Sequence, residues 1–452
     1  MAKRIILLLD GTWNDADVGP FDTNIVRLRE IIARSLDVKP SSSLSQASPS
    51  TGSQTAKLVS GRTFQGETEH IVFYERGVGT GPLLDRIKGG SFGEGLSGNI
   101  RRAYKFLSFF YEPDDEIFIF GFSRGAYTAR SLAGYIAAAG LLKRQSCTPD
   151  LENKSWTYYR TDPNDRMPGI WTELTPFVHE RSAFRIECMG VFDTVGALGV
   201  PLPEFYRINR QSYEFHDVDL CSITDVNLHA LAIDEHREPF APTVWRKPKF
   251  KSFSTVTEQV WFTGSHADVG GGYIKQEERL AAHLKALDDI TLDWMLKRVV
   301  NYFPNFPYDD QTWKAPDTSW SSAPRHESRN GFYRFMRKAL RSVANRGLDA
   351  RGWHQINVGY DRHAESIGEM VHVSALERLG VDDRDQPYGP LNLAVMLNVI
   401  QSTYDPSQVA VGSLKIVNWD GTILDPNVDA DVAAATSLIA DARRRIRNCK
   451  GK

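Results

Sequence analysis

Apolar positions along the chain come in short runs separated by stretches of helical spacing. Residues 5–9 are apolar at every position and close on Asp10, the pattern of a strand covered on both faces. Residues 24–36 place Ile25, Leu28, Ile31 and Ile32 on one side of a helix. Residues 70–74 and 116–120 predict two more strands, with a helix over 99–111 between them that carries Ala103, Phe106, Leu107 and Phe110 on one face. A helix of small residues over 124–142 follows, and 185–192 and 258–263 predict further core strands. Residues 431–448 read as a closing helix, with Arg443, Arg444 and Arg445 near its C-terminal dipole end. Strands alternating with helices predict an α/β fold, a mostly parallel sheet with helices on both faces. Residues 40–66 are rich in Ser, Thr, Gly and Gln and read as a loop. Segments 144–183, 200–255 and 275–365 have weaker periodicity and read as insertions over one end of the sheet. The expected division is a catalytic core over 1–275, holding the inserted segments 40–66, 144–183 and 200–255. A lid-like helical region over 276–452 would complete the same domain.

The sharpest chemical signal is Gly121-Phe122-Ser123-Arg124-Gly125. A G-x-S-x-G arises by chance in about 0.15 of chains this long, so the context decides. Here it directly follows an apolar strand and opens a helix containing Ala126, Ala129 and Ala133. That is the layout of a nucleophile elbow, in which a sharp turn presents a serine and tolerates almost no side chain at the neighbouring positions. The helix N-terminus favours an anion forming beside Ser123. The N–H of Arg124 is one expected oxyanion donor. The other is expected from Gly11 or Thr12, in the loop after the first strand.

A serine nucleophile needs an imidazole base and a carboxylate that fixes the imidazole tautomer. Of eleven histidines, His266 and His372 stand out, whereas His179, His216, His326, His354 and His363 sit in polar, loop-like surroundings. Two assignments keep the order Ser, Asp, His. One takes Asp193 as acid and His266 as base, one strand apart at the carboxyl rim of the sheet. The other takes Asp268 and His372. The glycines around His266 (Gly264 and Gly270 to Gly272) favour the first, because such a loop can approach a site closely.

Six stretches carry a family resemblance: Leu9-Asp10-Gly11-Thr12-Trp13-Asn14, Gly77-Val78-Gly79-Thr80-Gly81-Pro82, Phe120 to Arg130, Gly190 to Gly196, Ala230 to Glu235 and Gly264 to Tyr273. In this order they make the chain resemble the catalytic domain of type VI secretion phospholipase effectors, a bacterial α/β-hydrolase group. The resemblance implies Ser123 as nucleophile, Asp193 as acid and His266 as base, and a glycerophospholipid substrate. It also implies export by a signal-independent secretion system, with a secretion or immunity protein as partner. Phe192 stands where the family often has Trp, and no membrane-anchoring module of the kind found in larger members is visible.

Composition narrows the field further. Lys plus Arg is 54 against 56 Asp plus Glu, a net charge of −2, which does not suit a nucleic-acid reader. No apolar run reaches the length of a membrane helix, and the N-terminus lacks a cleavable signal, so synthesis in the cytoplasm is expected. Four scattered cysteines suit neither a disulfide framework nor a zinc site. The expected protein is a cofactor-free serine ester hydrolase that touches a membrane surface transiently. Basic residues Arg246, Lys247, Lys249 and Lys251, with Trp245, Trp261, Tyr273, Trp294, Trp313 and Trp320, are the expected lipid contacts. The rivals are a soluble esterase on smaller or polymeric esters, a catalytically silent binding protein of the same fold, and a nucleotide-binding module using the Gly77 loop. That loop lacks the Lys-Ser/Thr ending of a P-loop.

Overall fold

The computed structural model describes residues 2–11, 22–36, 63–65, 68–77, 91–195, 220–246, 254–274, 284–308, 313–335, 337–344, 353–356, 367–384, 386–401 and 414–449. Its strands are β1 (Arg4–Leu9), β2 (Thr63–Gln65), β3 (Thr68–Glu75), β4 (Glu116–Phe122), β5 (Ile186–Phe192), β6 (Thr224–Ala232), β7 (Val256–Phe262), β8 (Lys338–Arg341), β9 (Trp353–Ile356), β10 (Glu369–His372), β11 (Asp382–Asp383), β12 (Gln386–Pro387), β13 (Lys415–Val417) and β14 (Ile423–Leu424). Ten of them form one sheet in the order β14-β13-β10-β7-β6-β5-β4-β1-β3-β2. Its strands run parallel except β2 and β14, which pair antiparallel at the two edges. The pairs β8–β9 and β11–β12 stand apart from it.

The unbroken apolar run of β1 needs cover on both faces and receives it. Alternate residues Ile5, Leu7 and Leu9 join Ile117 and Ile119 under the helices Ser91–Phe110 and Arg124–Ala139. Ile6 and Leu8 join Phe118 and Phe120 under Asn24–Ser35 and Leu287–Tyr302. At the far end, Leu231, Trp261 and Val371 pack with Ile439 and Ile446 of the C-terminal helix Asp429–Cys449. The α/β class expected from the alternation of elements, a mostly parallel sheet with helices on both faces, is the one found.

Three sequence expectations change. Segment 200–255 contains a central strand, β6, between β5 and β7. Asp193 and His266 therefore follow strands two positions apart rather than one. Buried Asn227 and His229 interrupt the apolar pattern of β6, but both are satisfied. The Asn227 amide donates to Thr255 Oγ1 at 2.8 Å, and His229 Nε2 accepts the Thr194 N–H at 3.1 Å. Segment 275–365 contains the core helix Leu287–Tyr302, whose Leu292, Trp294, Met295 and Val299 pack beneath the sheet. In segment 40–66, Thr63–Gln65 is an edge strand, and residues 40–62 and 66 lie outside the described residues.

Candidate active site

β4 ends at Phe122, and the helix Arg124–Ala139 starts two residues later. Ser123 alone makes the turn, at φ 57° and ψ −118°. For a residue with a side chain, such left-handed backbone costs about 1–3 kcal/mol. The neighbouring glycines are required by contact. A Cβ at Gly125 would lie 2.1 Å from the Leu9 carbonyl oxygen, and one at Gly121 2.7 Å from the Ala126 backbone. The turn is tied to the next strand, since the Ser123 N–H donates to the Phe192 carbonyl at 3.0 Å.

Asp193 follows β5 and has φ 39°, a second non-glycine residue held in the left-handed region. His266 opens the short helix His266–Gly270 after β7. The two meet as a fully buried pair, His266 Nδ1 to Asp193 Oδ2 at 2.6 Å. The imidazole lies 4.7 Å, centroid to centroid, from the ring of Phe122, the residue before Ser123. Phe240 closes on it edge-on at 5.1 Å. Burial lowers the basicity of His266, partly offset by Asp193. A neutral imidazole is therefore the resting form, the one able to accept a proton.

Sequence reasoning missed the group that holds Asp193. Arg341, at the end of β8 and with no exposed surface, donates from Nη1 to Asp193 Oδ1 (2.7 Å) and from Nη2 to Oδ2 (3.0 Å). The same guanidinium donates to the carbonyls of Ala232 (2.9 Å) and Phe240 (2.6 Å). The Ala232 N–H adds a bond to Asp193 Oδ1 at 3.0 Å. Burial alone would raise the Asp193 carboxyl, but Arg341 and His266 outweigh it and hold it well below the usual carboxylate range. The only local sequence signal is a lone Arg in Leu340-Arg341-Ser342-Val343, in a segment that reads as an insertion.

The expected oxyanion region is partly visible. β1 lies directly beside β4, so Gly11 comes against the elbow, and a Cβ there would be 3.2 Å from that of Ser123. The Gly11 N–H, however, donates to Asp10 Oδ1 at 2.7 Å. The carboxylate of the adjacent residue thus engages this expected oxyanion donor. Asp10 also accepts from Thr23 Oγ1 and Tyr74 Oη, each at 2.9 Å, while burial pushes its carboxyl up to about 6. Thr12 lies outside the described residues. Arg124 takes the first helical position after Ser123, at the positive end of the helix dipole.

The second assignment is not brought together. Asp268 caps its own turn through the Ser265 N–H (2.8 Å) and pairs with His326 Nδ1 (2.6 Å), whose ring stacks on Tyr273 at 3.9 Å. His372 is buried against Phe262, and its Nδ1 meets Ser374 Oγ at 2.8 Å. Burial pushes its basicity down to about 3. The polar surroundings of His326 in the sequence concealed this pairing.

The expected lipid contacts fare differently. Trp245, Trp261 and Trp294 are core residues at 1% exposure or less. Trp313 and Trp320 donate to Asp293 and Asp289 beside the core helix. Lys247, Lys249, Lys251 and Val78 to Gly81 lie outside the described residues. Among the described residues, no three His, Cys, Asp or Glu side chains converge as a metal site. Nor is any described helix long and apolar enough to cross a membrane.

Comparison with known proteins places this geometry in context. The family model described as "T6SS, Phospholipase effector Tle1-like, catalytic domain" matches residues 3–298. The uncharacterized protein YEL023C of Saccharomyces cerevisiae is 27% identical over 259 residues, 53% of this chain and 32% of its own length. The match thus spans about a third of that curated relative. A solved structure of the Tle1 effector bound to the VgrG spike of the type 6 secretion system aligns over 60% of this chain and 51% of its own, at 17% identity and TM-score 0.32. An uncharacterized protein from Pseudomonas aeruginosa aligns over 71% and 48%, at 16% identity and TM-score 0.37.

Proposed function

Because the chain belongs to the Tle1-like phospholipase-effector catalytic-domain family, we propose that it is a serine hydrolase of carboxylic esters in glycerophospholipids. The observation that carries this reading is the buried 2.6 Å contact between Asp193 and His266, on the rim that also bears the left-handed Ser123. In this mechanism Ser123 Oγ attacks the acyl carbonyl carbon while His266 Nε2 takes its proton. The Arg124 N–H and the helix start stabilise the oxyanion of the tetrahedral intermediate. His266 then returns the proton to the departing alcohol oxygen, a lysophospholipid, leaving an acyl-enzyme. Water, deprotonated by His266, attacks the acyl carbon and releases the fatty acid, restoring Ser123. Asp193 orients the imidazole and stabilises its cation. No step calls for a metal or organic cofactor. The family also suggests a secretion-spike protein as carrier for export without a signal peptide, and an immunity protein as a further partner.

Two readouts test the chemistry. A fluorophosphonate probe should label the chain once, on the peptide containing Ser123. Because burial lowers the His266 pKa, neutral base persists as pH falls below 6.5, the ordinary value of histidine. The acid limb of kcat/KM on a soluble ester should therefore have its inflection below 6.5, with a plateau above it. Labelling elsewhere, or an inflection well above 6.5, would contradict the assignment.

A further inference from the structure

We propose that the turn Gly331–Phe335 is the surface by which this chain docks on an anionic lipid bilayer. The proposal rests on the phospholipase reading and names the surface that would bring its site to substrate. Phe335 is 90% exposed, the most exposed large apolar side chain among the described residues. Arg334 and Arg337 flank it and are also exposed. Between Glu327 and Asp349 the sequence has no acid, and the cations Arg329, Arg334, Arg337 and Lys338 lie within six residues of Phe335 along the chain. An exposed aromatic ring between arginines suits the boundary between acyl chains and anionic headgroups, and its charge complements such a surface.

The turn is held firmly and lies beside the candidate site. Arg329 Nη2 donates to the Arg334 carbonyl at 3.0 Å, and the Tyr333 N–H to the Asn330 carbonyl at 3.1 Å. Tyr333 packs edge-on against Phe240 at 6.0 Å, and Phe240 packs against His266 at 5.1 Å. The Arg237 guanidinium covers both rings, 3.6 Å from Phe240 and 5.1 Å from Tyr333. Just beyond the turn, the Ala339 N–H donates to the His236 carbonyl at 2.9 Å, and β8 ends at Arg341, the residue that grips Asp193. A bilayer touching Phe335 would thus lie against the same short segment that builds the wall of the site.

The test uses the full chain carrying Ser123→Ala, so that binding is read without lipolysis. It is mixed with vesicles of phosphatidylcholine alone or with 30 mol% phosphatidylglycerol, about a third of the lipid being anionic. Co-sedimentation should favour the anionic vesicles and weaken as salt rises. Phe335→Asp and Arg334→Glu/Arg337→Glu should each lower partition by about tenfold or more, with thermal unfolding unchanged because these side chains are exposed. Phe335→Trp should retain binding. Equal binding to both vesicle types, or Phe335→Asp binding like its parent, would overturn the proposal, the latter pointing to a protein partner for the turn. Failure of the hydrolase reading would appear separately, as absence of ester cleavage by the unmodified chain.

Discussion

Ser123→Ala is expected to reduce ester turnover by about 10³-fold or more while leaving the protein folded. Alanine keeps a Cβ of the same size at the turn, so packing against Gly11 and the N–H bond to Phe192 survive. What disappears is the Oγ that forms the acyl-enzyme in the proposed mechanism. His266→Ala should lose activity on a similar scale, because among the described residues His266 is the imidazole hydrogen-bonded to Asp193. His372→Ala and Asp268→Asn should cost far less catalysis, since those side chains serve a buried helix cap and the pairing with His326. Steady-state kinetics on a soluble ester, with circular dichroism of each variant, measures this. An inactive His372→Ala beside an active His266→Ala would replace the assignment.

The second large effect is expected at Arg341. Removing it as Arg341→Met leaves the Asp193 carboxylate buried with one charged partner fewer, a change that typically destabilises by about 3–5 kcal/mol. Urea denaturation reads that loss. A positioning role predicts something further. With the cation gone, the Asp193–His266 pair holds a proton more tightly, so the imidazole stays protonated, and inactive, to higher pH. The acid limb of kcat/KM should move up by about one pH unit. Arg341→Lys keeps the charge but loses the fork that reaches both carboxylate oxygens, and should restore the limb more fully than the rate. If the limb stays in place in Arg341→Met, Arg341 serves stability alone.

The elbow was legible because its requirements are local. An apolar strand, two glycines and small helical residues must be adjacent in sequence, and Leu9 and Ala126 show in contacts why they are needed. His266 was legible for a related reason, since its glycine-rich turn follows a strongly apolar strand. β6 was not, because Asn227 and His229 look like surface residues until their partners Thr255 and Thr194 are seen. Arg341 was hidden for the same physical reason on a longer scale. Its partner lies 148 residues earlier in the chain, and nothing in the residues around a lone arginine reveals that it will be wholly buried. The aromatic residues first read as lipid contacts show the converse. A tryptophan in a weakly periodic segment looks interfacial, yet Trp245 and Trp294 fill the core, as does Trp261 on its strand, and the most exposed ring among the described residues is Phe335.

The central claim is ester cleavage of a glycerophospholipid by Ser123, and mass-spectrometric analysis of the products tests it most directly. Mixed-chain phosphatidylcholine and phosphatidylglycerol vesicles incubated with the chain should yield free fatty acid and the matching lysophospholipid in equal amounts, and neither with Ser123→Ala. Intact lipid after long incubation, phosphatidic acid or diacylglycerol as product, or fatty acid release that persists in Ser123→Ala, would contradict it.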